Sequence, residues 1–319
     1  MKLRTNIKPF ISNNKIEYKD NLFFIGSCFS QNISNELSQR KFKTYTNPFG
    51  ISYNPISVFD SLESVLTKRT YSEKDFFYFQ EKWSSFDFHS DMSSLSKIIA
   101  VENVNTVIEQ TNNFLNKTNY LFITFGTAWV YEKNDKVVAN CHKIPNREFN
   151  KKLLSVGEIV DKALVVLKKM FANNESLKVI LTISPVRHLK DGFIENNQSK
   201  STLHLAVKEI CSRFVKQVEY FPSYEMVLDD LRDYRFYKED LIHPNNLAIQ
   251  YIFNQFNNTY FNAETKETIK KIEKINNSLN HKVKFKETER YQKFKKSILN
   301  DIEKMESEGF DFKKEKLTL

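Results

Sequence analysis

Two short stretches, far apart in the chain, contain the residue types of a nucleophilic active site. Gly26-Ser27-Cys28 directly follows an apolar run and directly precedes a helical pattern. A side chain at such a strand–turn–helix junction faces a cleft, and the helix offers unpaired N–H groups and the positive end of its dipole. Such a position suits a nucleophile, whose pKa would be lowered if it is the Cys28 thiol. The competing interpretation is that Cys28 is a small buried side chain, as most free cysteines are.

The second stretch, Asp240-Leu241-Ile242-His243, places a carboxylate and an imidazole three residues apart. On one side of a turn, the carboxylate can accept a hydrogen bond from the imidazole, fix its tautomer and stabilise the imidazolium. Asp-x-x-His occurs often by chance, so the stretch gains its weight from the Ser/Cys junction at the other end of the chain. We interpret His243 as a general base and Asp240 as the residue that orients it.

The elements that would position these residues alternate between strands and helices. Apolar runs typical of buried strands occur at 22–25, 121–125, 178–183 and 218–221. Helical patterns separate them, including a helix that we expect to begin after an N-cap at Ser199 and a last core helix that contains Leu247. This order predicts an α/β fold, a three-layer α/β/α arrangement around a mostly parallel sheet. Ligand sites in such sheets lie at the carboxyl ends of the strands.

The composition of the sequence changes near residue 262. Residues 262–319 are densely charged and carry a thin apolar stripe at Ile269, Ile272 and Ile275. We expect an α/β domain over 1–261 and a charged helical C-terminal extension over 262–319. The extension is interpreted as a solvated helix pair, docked or partly mobile, and as a candidate surface for homo-oligomerisation.

Composition and charge exclude several classes of protein. The chain has 319 residues, of which 40% are apolar, so it can bury a core and is not a disordered chain. Three scattered cysteines exclude a disulfide framework, and no Cys-x-x-Cys or His-x-x-x-His spacing supports a metal site. No apolar run approaches the roughly 20 residues of a membrane helix, and the first residues are too polar for a secretory signal, so we expect a cytoplasmic protein without membrane insertion. The net charge is +9, but basic and acidic residues are interspersed and no nucleic-acid-binding motif is present, so nucleic acid is not an expected partner.

Gly26 to Ser30 resembles the signature of the GSCFA-domain family, which is similar to the SGNH, or GDSL-type, hydrolases. Further stretches resemble the family at 47–50, 126–131, 140–143, 184–188 and 199–200. The resemblance implies a fold like that of SGNH hydrolases and flavodoxin. It also implies an esterase or deacylase, or an acyltransferase, that acts on an acyl ester of a small molecule or carbohydrate through a covalent intermediate and without a cofactor.

The resemblance also implies roles for single residues. When Gly26 is placed on the glycine of the Gly-Asp-Ser block of the SGNH enzymes, Cys28 falls on the nucleophile. Sliding the match by one residue makes Ser27 the nucleophile, and the sequence leaves both open. Gly50 would match the glycine whose N–H joins the N–H of the nucleophile in an oxyanion hole, and Asn47 belongs to the same block.

The third block departs from the superfamily pattern. It normally supplies an Asn side chain to the oxyanion, but Ala128 stands at this place after Gly126. Asn140 is a candidate replacement, with His142 nearby, and Arg187 is a candidate to hold a carboxylate or phosphate of the substrate. Losing one oxyanion donor costs about 10²–10³ in rate. The alternative function is therefore a catalytically weak relative that binds an acylated or carbohydrate ligand.

Overall fold

The structure, a computed structural model, describes residues 5–7, 10–281 and 284–317. Its strands are β1 (Asn21–Gly26), β2 (Lys43–Thr46), β3 (Phe77–Phe79), β4 (Lys82–Ser84), β5 (Tyr120–Phe125), β6 (Trp129–Lys133), β7 (Lys136–Val138), β8 (Asn150–Leu153), β9 (Lys178–Ile183) and β10 (Val218–Tyr220). Its helices are α1 (Cys28–Gln39), α2 (Pro55–Leu66), α3 (Lys97–Leu115), α4 (Val156–Asn173), α5 (Phe193–Arg213), α6 (Ser223–Glu225), α7 (Asn246–Tyr260), α8 (Ala263–Leu279), α9 (Glu289–Ser307) and α10 (Lys313–Lys316).

A parallel sheet of five strands, in the order β10-β9-β5-β1-β2, forms the centre of the fold. Successive side chains of a strand point to opposite faces, and β1 shows the consequence. Phe23 and Ile25 pack into the apolar cluster under α2, α3, α4 and α5, whereas Leu22 and Phe24 pack into the cluster under α1 and α7. Helices therefore cover both faces, which confirms the predicted three-layer α/β/α fold.

The four predicted strands are confirmed as β1, β5, β9 and β10, with ends that differ by at most one residue. Two details of the predicted helices are wrong. Helix α5 begins at Phe193 after Gly192, so Ser199 lies inside the helix and does not cap it. Leu247, expected in the core, is exposed on the outer side of α7. The buried contacts of this helix come from other residues, among them Ile252 and Phe253.

An antiparallel sheet of three strands, in the order β7-β6-β8, follows β5 in the chain and was not predicted. Its strands are short and half-exposed, so their apolar pattern is weak. The chain nevertheless carries a hairpin signal. Asn134 and Asp135 join β6 to β7 with φ angles of 50° and 59°, the left-handed conformation that a tight hairpin turn requires and that Asn and Asp tolerate.

The C-terminal helices dock on the α/β layers. Ile272 and Ile275 of α8 form an apolar cluster with Ile298, Ile302, Met305 and Phe312. Arg40, at the end of α1, lies 2.7 Å from both Glu36 and Glu273 of α8. The apolar stripe is therefore buried between helices rather than solvated. No helix within the described ranges has the length and apolar character that would let it cross a membrane.

A glycine at the end of β1 is needed to bring the chain into α1. Gly26 has φ +128°, and a Cβ there would lie 2.2 Å from the carbonyl oxygen of Thr124 on β5. We predict that Gly26→Ala lowers the free energy of unfolding by about 3 kcal/mol or more, because backbone must move in a strained conformation. Urea unfolding measures this loss.

Gly157 supplies the matched control. It lies in the first turn of α4, where a Cβ would approach nothing closer than Ser155 Oγ at 4.0 Å. Gly157→Ala should leave the free energy of unfolding unchanged or raise it by up to about 1 kcal/mol. Equal effects of the two substitutions would contradict this account of the β1–α1 junction.

Candidate active site

A cleft of about 660 Å³ lies at the carboxyl ends of β1, β5 and β9. Its walls include Cys28 after β1, Thr127 after β5 and Ser184 after β9. Trp129 and Tyr131 of the antiparallel sheet add an aromatic side. This is the edge of the parallel sheet at which the sequence predicts a ligand site.

Ser27 caps helix α1. Its side chain accepts a hydrogen bond from the Phe29 N–H at 3.3 Å, and its own N–H donates to the Thr124 carbonyl at 3.0 Å. Only 1% of the residue is exposed. The hydroxyl oxygen of Ser27 therefore satisfies one of the free N–H groups at the start of the helix, which is a structural use for it.

Cys28 is the first residue of α1, is half-buried and lines the cleft. The backbone N–H groups of Cys28 and Phe29 and the charges of Lys200 and Lys238 act to lower the pKa of its thiol. Burial raises that pKa by more than these groups lower it. The predicted lowering is thus wrong, because the removal of the thiolate from water outweighs the helix terminus. Cys28 rests as a thiol and needs a base to become a nucleophile.

Asp240 and His243 form the hydrogen bond that their spacing predicts. Asp240 Oδ2 lies 2.7 Å from His243 Nδ1, and Asp240 Oδ1 accepts from the N–H groups of Ile242 and His243 at 2.9 Å each. These bonds to the charged form lower the pKa of Asp240 to about 2. Since Nδ1 is held by the carboxylate, Nε2 is the ring nitrogen left for the cleft, which His243 lines together with Cys28.

The 47–50 stretch braces β1 and does not line the cleft. Asn47 Oδ1 accepts from the N–H of Gly26 at 2.9 Å, and the Gly50 N–H donates to the Asn47 carbonyl at 2.9 Å. Gly50 has φ +79°, and a Cβ there would collide with His89. The Gly50 N–H, for which the family resemblance implies an oxyanion-hole role, is therefore already used inside a turn.

The third block is also engaged in internal bonds. The Gly126 N–H donates to the Tyr53 carbonyl at 2.7 Å, and the Ala128 N–H donates to Ser199 Oγ at 2.7 Å. Gly126 lies under the rings of His188 and Tyr53, each about 3.1 Å from the position of a Cβ. Neither N–H is left for a substrate. The lack of a side chain at Gly126 leaves room for the rings of His188 and Tyr53, which line the cleft.

Asn140 and Arg187 line the cleft, whereas His142 does not. Asn140 Oδ1 accepts from the His142 N–H at 2.7 Å, so its amide nitrogen is the end left to donate. His142 Nε2 donates to the Ser85 carbonyl at 2.8 Å, and its ring packs on Phe77. Burial lowers the pKa of His142, which acts as a brace for the loop that carries Asn140.

His188 is a cleft residue to which the sequence gave no role. Its ring meets the ring of Tyr53 edge-on at 5.3 Å, and burial lowers its pKa to about 4. It is therefore a neutral imidazole at neutral pH. The described residues contain no group of three or more His, Cys, Asp or Glu side chains that could hold a metal ion.

Comparison with known proteins places the chain in a family. The model described as the GSCFA family matches residues 21–256, about three quarters of the chain. The chain belongs to the GSCFA family. A second model, described as the C-terminal domain of GSCFA domain proteins, matches residues 272–319. No curated protein matches the chain.

Solved structures similar to this GSCFA protein include two esterases. A carbohydrate esterase family 3 structure from Talaromyces cellulolyticus has a TM-score of 0.37 and 9% identity, over 80% of this chain and 99% of that one. An acetyl xylan esterase from the rumen bacterium Butyrivibrio proteoclasticus has a TM-score of 0.38 and 9% identity, over 76% of this chain and 64% of that one. The chain thus spans less than two thirds of the second esterase.

The structure gives each residue of the GSCFA signature a physical reason. Gly26 turns the chain and Ser27 caps the helix, as described above. Phe29 is buried in the core, and Ser30 Oγ lies 2.7 Å from Thr124 Oγ1 on β5. Cys28 remains as the residue whose side chain lies in the cleft without serving as a cap or a core contact.

Lys200 lies behind the candidate site, and the sequence did not predict a part for it. It lies on α5, is only 2% exposed, and its Nζ donates to the carbonyls of Gly126 and Ser184 at 2.6 Å each. Burial, followed by the nearby charge of Arg187, lowers its pKa to about 7. The only signal in the sequence was its place in the family-like pair Ser199-Lys200. No local pattern shows that both side chains turn inward.

The raised pKa of Cys28 gives a prediction for the reactivity of its thiol. Because burial raises its pKa, alkylation of Cys28 by iodoacetamide should be slow near pH 7 and accelerate as the pH rises into the alkaline range. Cys141 and Cys211 serve as internal controls, since burial raises their pKa values to about 11 and they should react more slowly near pH 9. Peptide mapping by mass spectrometry measures all three. Rapid labelling of Cys28 that is already independent of pH near pH 6 would contradict this account.

Proposed function

We propose that this protein cleaves an acyl ester through a covalent intermediate on Cys28, as a hydrolase or an acyltransferase. One observation carries the proposal. A thiol at the start of α1 and an imidazole fixed by a carboxylate line one cleft, at the carboxyl ends of parallel strands. The Cys28 thiol, His243 and Asp240 are the three groups that nucleophilic acyl transfer needs.

Each group has a defined part in the reaction. Nε2 of His243 takes the proton of the Cys28 thiol as Sγ bonds to the ester carbonyl carbon. The tetrahedral intermediate then expels the alcohol, which leaves with the proton held by His243, and a thioester remains on Cys28. Asp240 stays ionised, because its pKa is about 2, and stabilises the imidazolium.

The second half of the reaction regenerates the thiol. His243 removes a proton from a water molecule, or from the hydroxyl of an acceptor, and the resulting oxygen attacks the thioester. Sγ leaves and takes back the proton, and the product is a carboxylic acid or a new ester. Hydrolysis and acyl transfer therefore differ only in the acceptor that enters the cleft. A small-molecule or carbohydrate ester fits a cleft of this volume.

The oxyanion would be held by two donors that remain available. Cys28 is the first residue of α1, so its N–H has no acceptor within the helix. The amide nitrogen of Asn140 is the second donor, since its oxygen is occupied by the His142 N–H. Asn140 thereby takes the part that Ala128 cannot play. We assign Cys28, rather than Ser27, as the nucleophile because the Ser27 oxygen caps the helix.

The alternative is a protein that binds an acylated or carbohydrate ligand and turns it over poorly. A specific observation favours it. The Gly50 N–H, which the superfamily pattern predicts as an oxyanion donor, donates to the Asn47 carbonyl, and Ala128 has no amide side chain where that pattern predicts Asn. This alternative keeps the cleft as a binding site and assigns no catalytic role to His243.

Substitution of the nucleophile and the base separates the two functions. With p-nitrophenyl acetate as substrate, Cys28→Ala and His243→Gln should each lower kcat/KM by about 10³-fold, since both groups act in the transition state. Ser27→Ala is the matched control. It should retain hydrolysis within a fewfold while it lowers the free energy of unfolding by about 1 kcal/mol through the lost cap.

Two outcomes would contradict the assignment. Loss of activity in Ser27→Ala, with activity retained in Cys28→Ala, would make Ser27 the nucleophile. Binding of acetylated sugars by the wild-type protein, without hydrolysis or transfer that depends on His243, would favour the binding protein.

A further inference from the structure

A second pocket, of about 620 Å³, adjoins the candidate active site. We call it the outer pocket. Arg187, Leu189 and Ile242 line both cavities, so the two share a wall. Asp240, which holds His243, forms part of the outer wall. Arg187 therefore lies between the cleft that contains Cys28 and the outer pocket.

The carboxylates on the walls of the two cavities all have partners. Asp191 lies 2.6 Å from Lys151, Asp233 lies 2.8 Å from Arg235, and Asp240 is held by His243. Lys151 and Arg235 thus offset the negative charges of Asp191 and Asp233 before any ligand enters, whereas His243 offsets the charge of Asp240 only when its imidazole is protonated. Asp191 and Asp233 therefore do not repel an anionic ligand strongly.

The cations on these walls are less evenly matched. Arg232 lies 3.5 Å from Asp229, and Lys190 is exposed to solvent. Arg187 is half-buried, and among residues 5–7, 10–281 and 284–317 it has no hydrogen bond or ion pair. Its charge instead lowers the pKa of the neighbouring Lys200. A guanidinium is always charged, and its planar fork of N–H groups matches the two oxygens of a carboxylate or phosphate.

Apart from Asn197 and the charged residues, the side chains that line the outer pocket are apolar or aromatic. Phe193 and Tyr234 are 68% and 74% exposed, and Leu241 is 57% exposed. Exposed side chains of this size around one pocket offer an apolar surface for a ligand. The pocket thus combines one unpaired cation, at its junction with the catalytic cleft, and an apolar rim.

We propose that Arg187 and the outer pocket bind an oxyanion group, a carboxylate or a phosphate, that is carried on an apolar part of the ester substrate. That this ligand is a substrate rests on the function proposed above, whereas the binding of an anion by Arg187 does not depend on that function. The scissile carbonyl lies beside Cys28, the anion pairs with Arg187, and the apolar part contacts Phe193, Tyr234 and Leu241. The protein would then select anionic esters over neutral ones of the same size.

Calorimetric titration tests the site without catalysis. The probes are phenylacetate and phenyl phosphate, with phenylacetamide as the neutral match, and each is titrated into Cys28→Ala. We expect the two anions to bind at least about tenfold more tightly than the amide, and Arg187→Gln in the same background to remove that difference. The relative affinities of the two anions distinguish a carboxylate from a phosphate site.

Arg213→Gln is the control for the loss of one positive charge. Arg213 lies at the far end of α5, 3.0 Å from Glu209, and its substitution should leave all three affinities unchanged. Equal binding of anions and amide, or equal effects of Arg187→Gln and Arg213→Gln, would overturn the proposal. Anion binding that depends on Arg187, in a protein that hydrolyses no ester, would support the pocket and reject the enzyme. Hydrolysis of neutral and anionic esters at equal kcat/KM would support the enzyme and reject the anion-binding pocket.

Discussion

A buried ammonium group holds together the edge of the sheet on which the site depends. The carbonyls of Gly126 and Ser184 follow the neighbouring strands β5 and β9, and Lys200 Nζ donates to both. Such main-chain groups are costly to bury unless they are paired, and so is a lysine without a carboxylate. The lowered pKa of Lys200 reflects the free-energy cost of burying its charge. In return, α5 is tied to two strand ends at once, and a positive charge lies near Cys28, where it lowers the pKa of the thiol.

The two halves of the candidate site are fixed by different means. Cys28 is positioned by rigid elements, because the turn at Gly26 is pressed against β5 and Ser27 caps the helix. His243 lies on an exposed turn, and its position comes from hydrogen bonds. Asp240 holds its ring, and the Lys238 N–H donates to its carbonyl at 2.8 Å. In the proposed mechanism His243 removes the proton of the thiol, so no thiolate is needed at rest, which agrees with the raised pKa of Cys28.

The sequence predicts features that depend on local patterns. Apolar runs locate the strands, and Asp-x-x-His predicts a bond between residues three apart. Features that depend on tertiary packing were wrong or missed. Ser199 is typical of an N-cap, but its hydroxyl is used by the Ala128 N–H across the fold. The helix dipole predicts a lowered pKa for Cys28, whereas burial, which no local pattern shows, decides its direction. The inward position of Lys200 likewise depends on tertiary packing, which no local pattern shows.

The central claim is that Cys28 carries the acyl group, and trapping the intermediate tests it most directly. Wild-type protein is mixed with p-nitrophenyl acetate, quenched in acid and digested, and the peptides are analysed by mass spectrometry. The account predicts one added acetyl group on the peptide that contains Cys28, as a thioester released by hydroxylamine, and much slower formation in His243→Gln. Acetyl on Ser27, or acetylation of Cys28 at the same rate without His243, would contradict it.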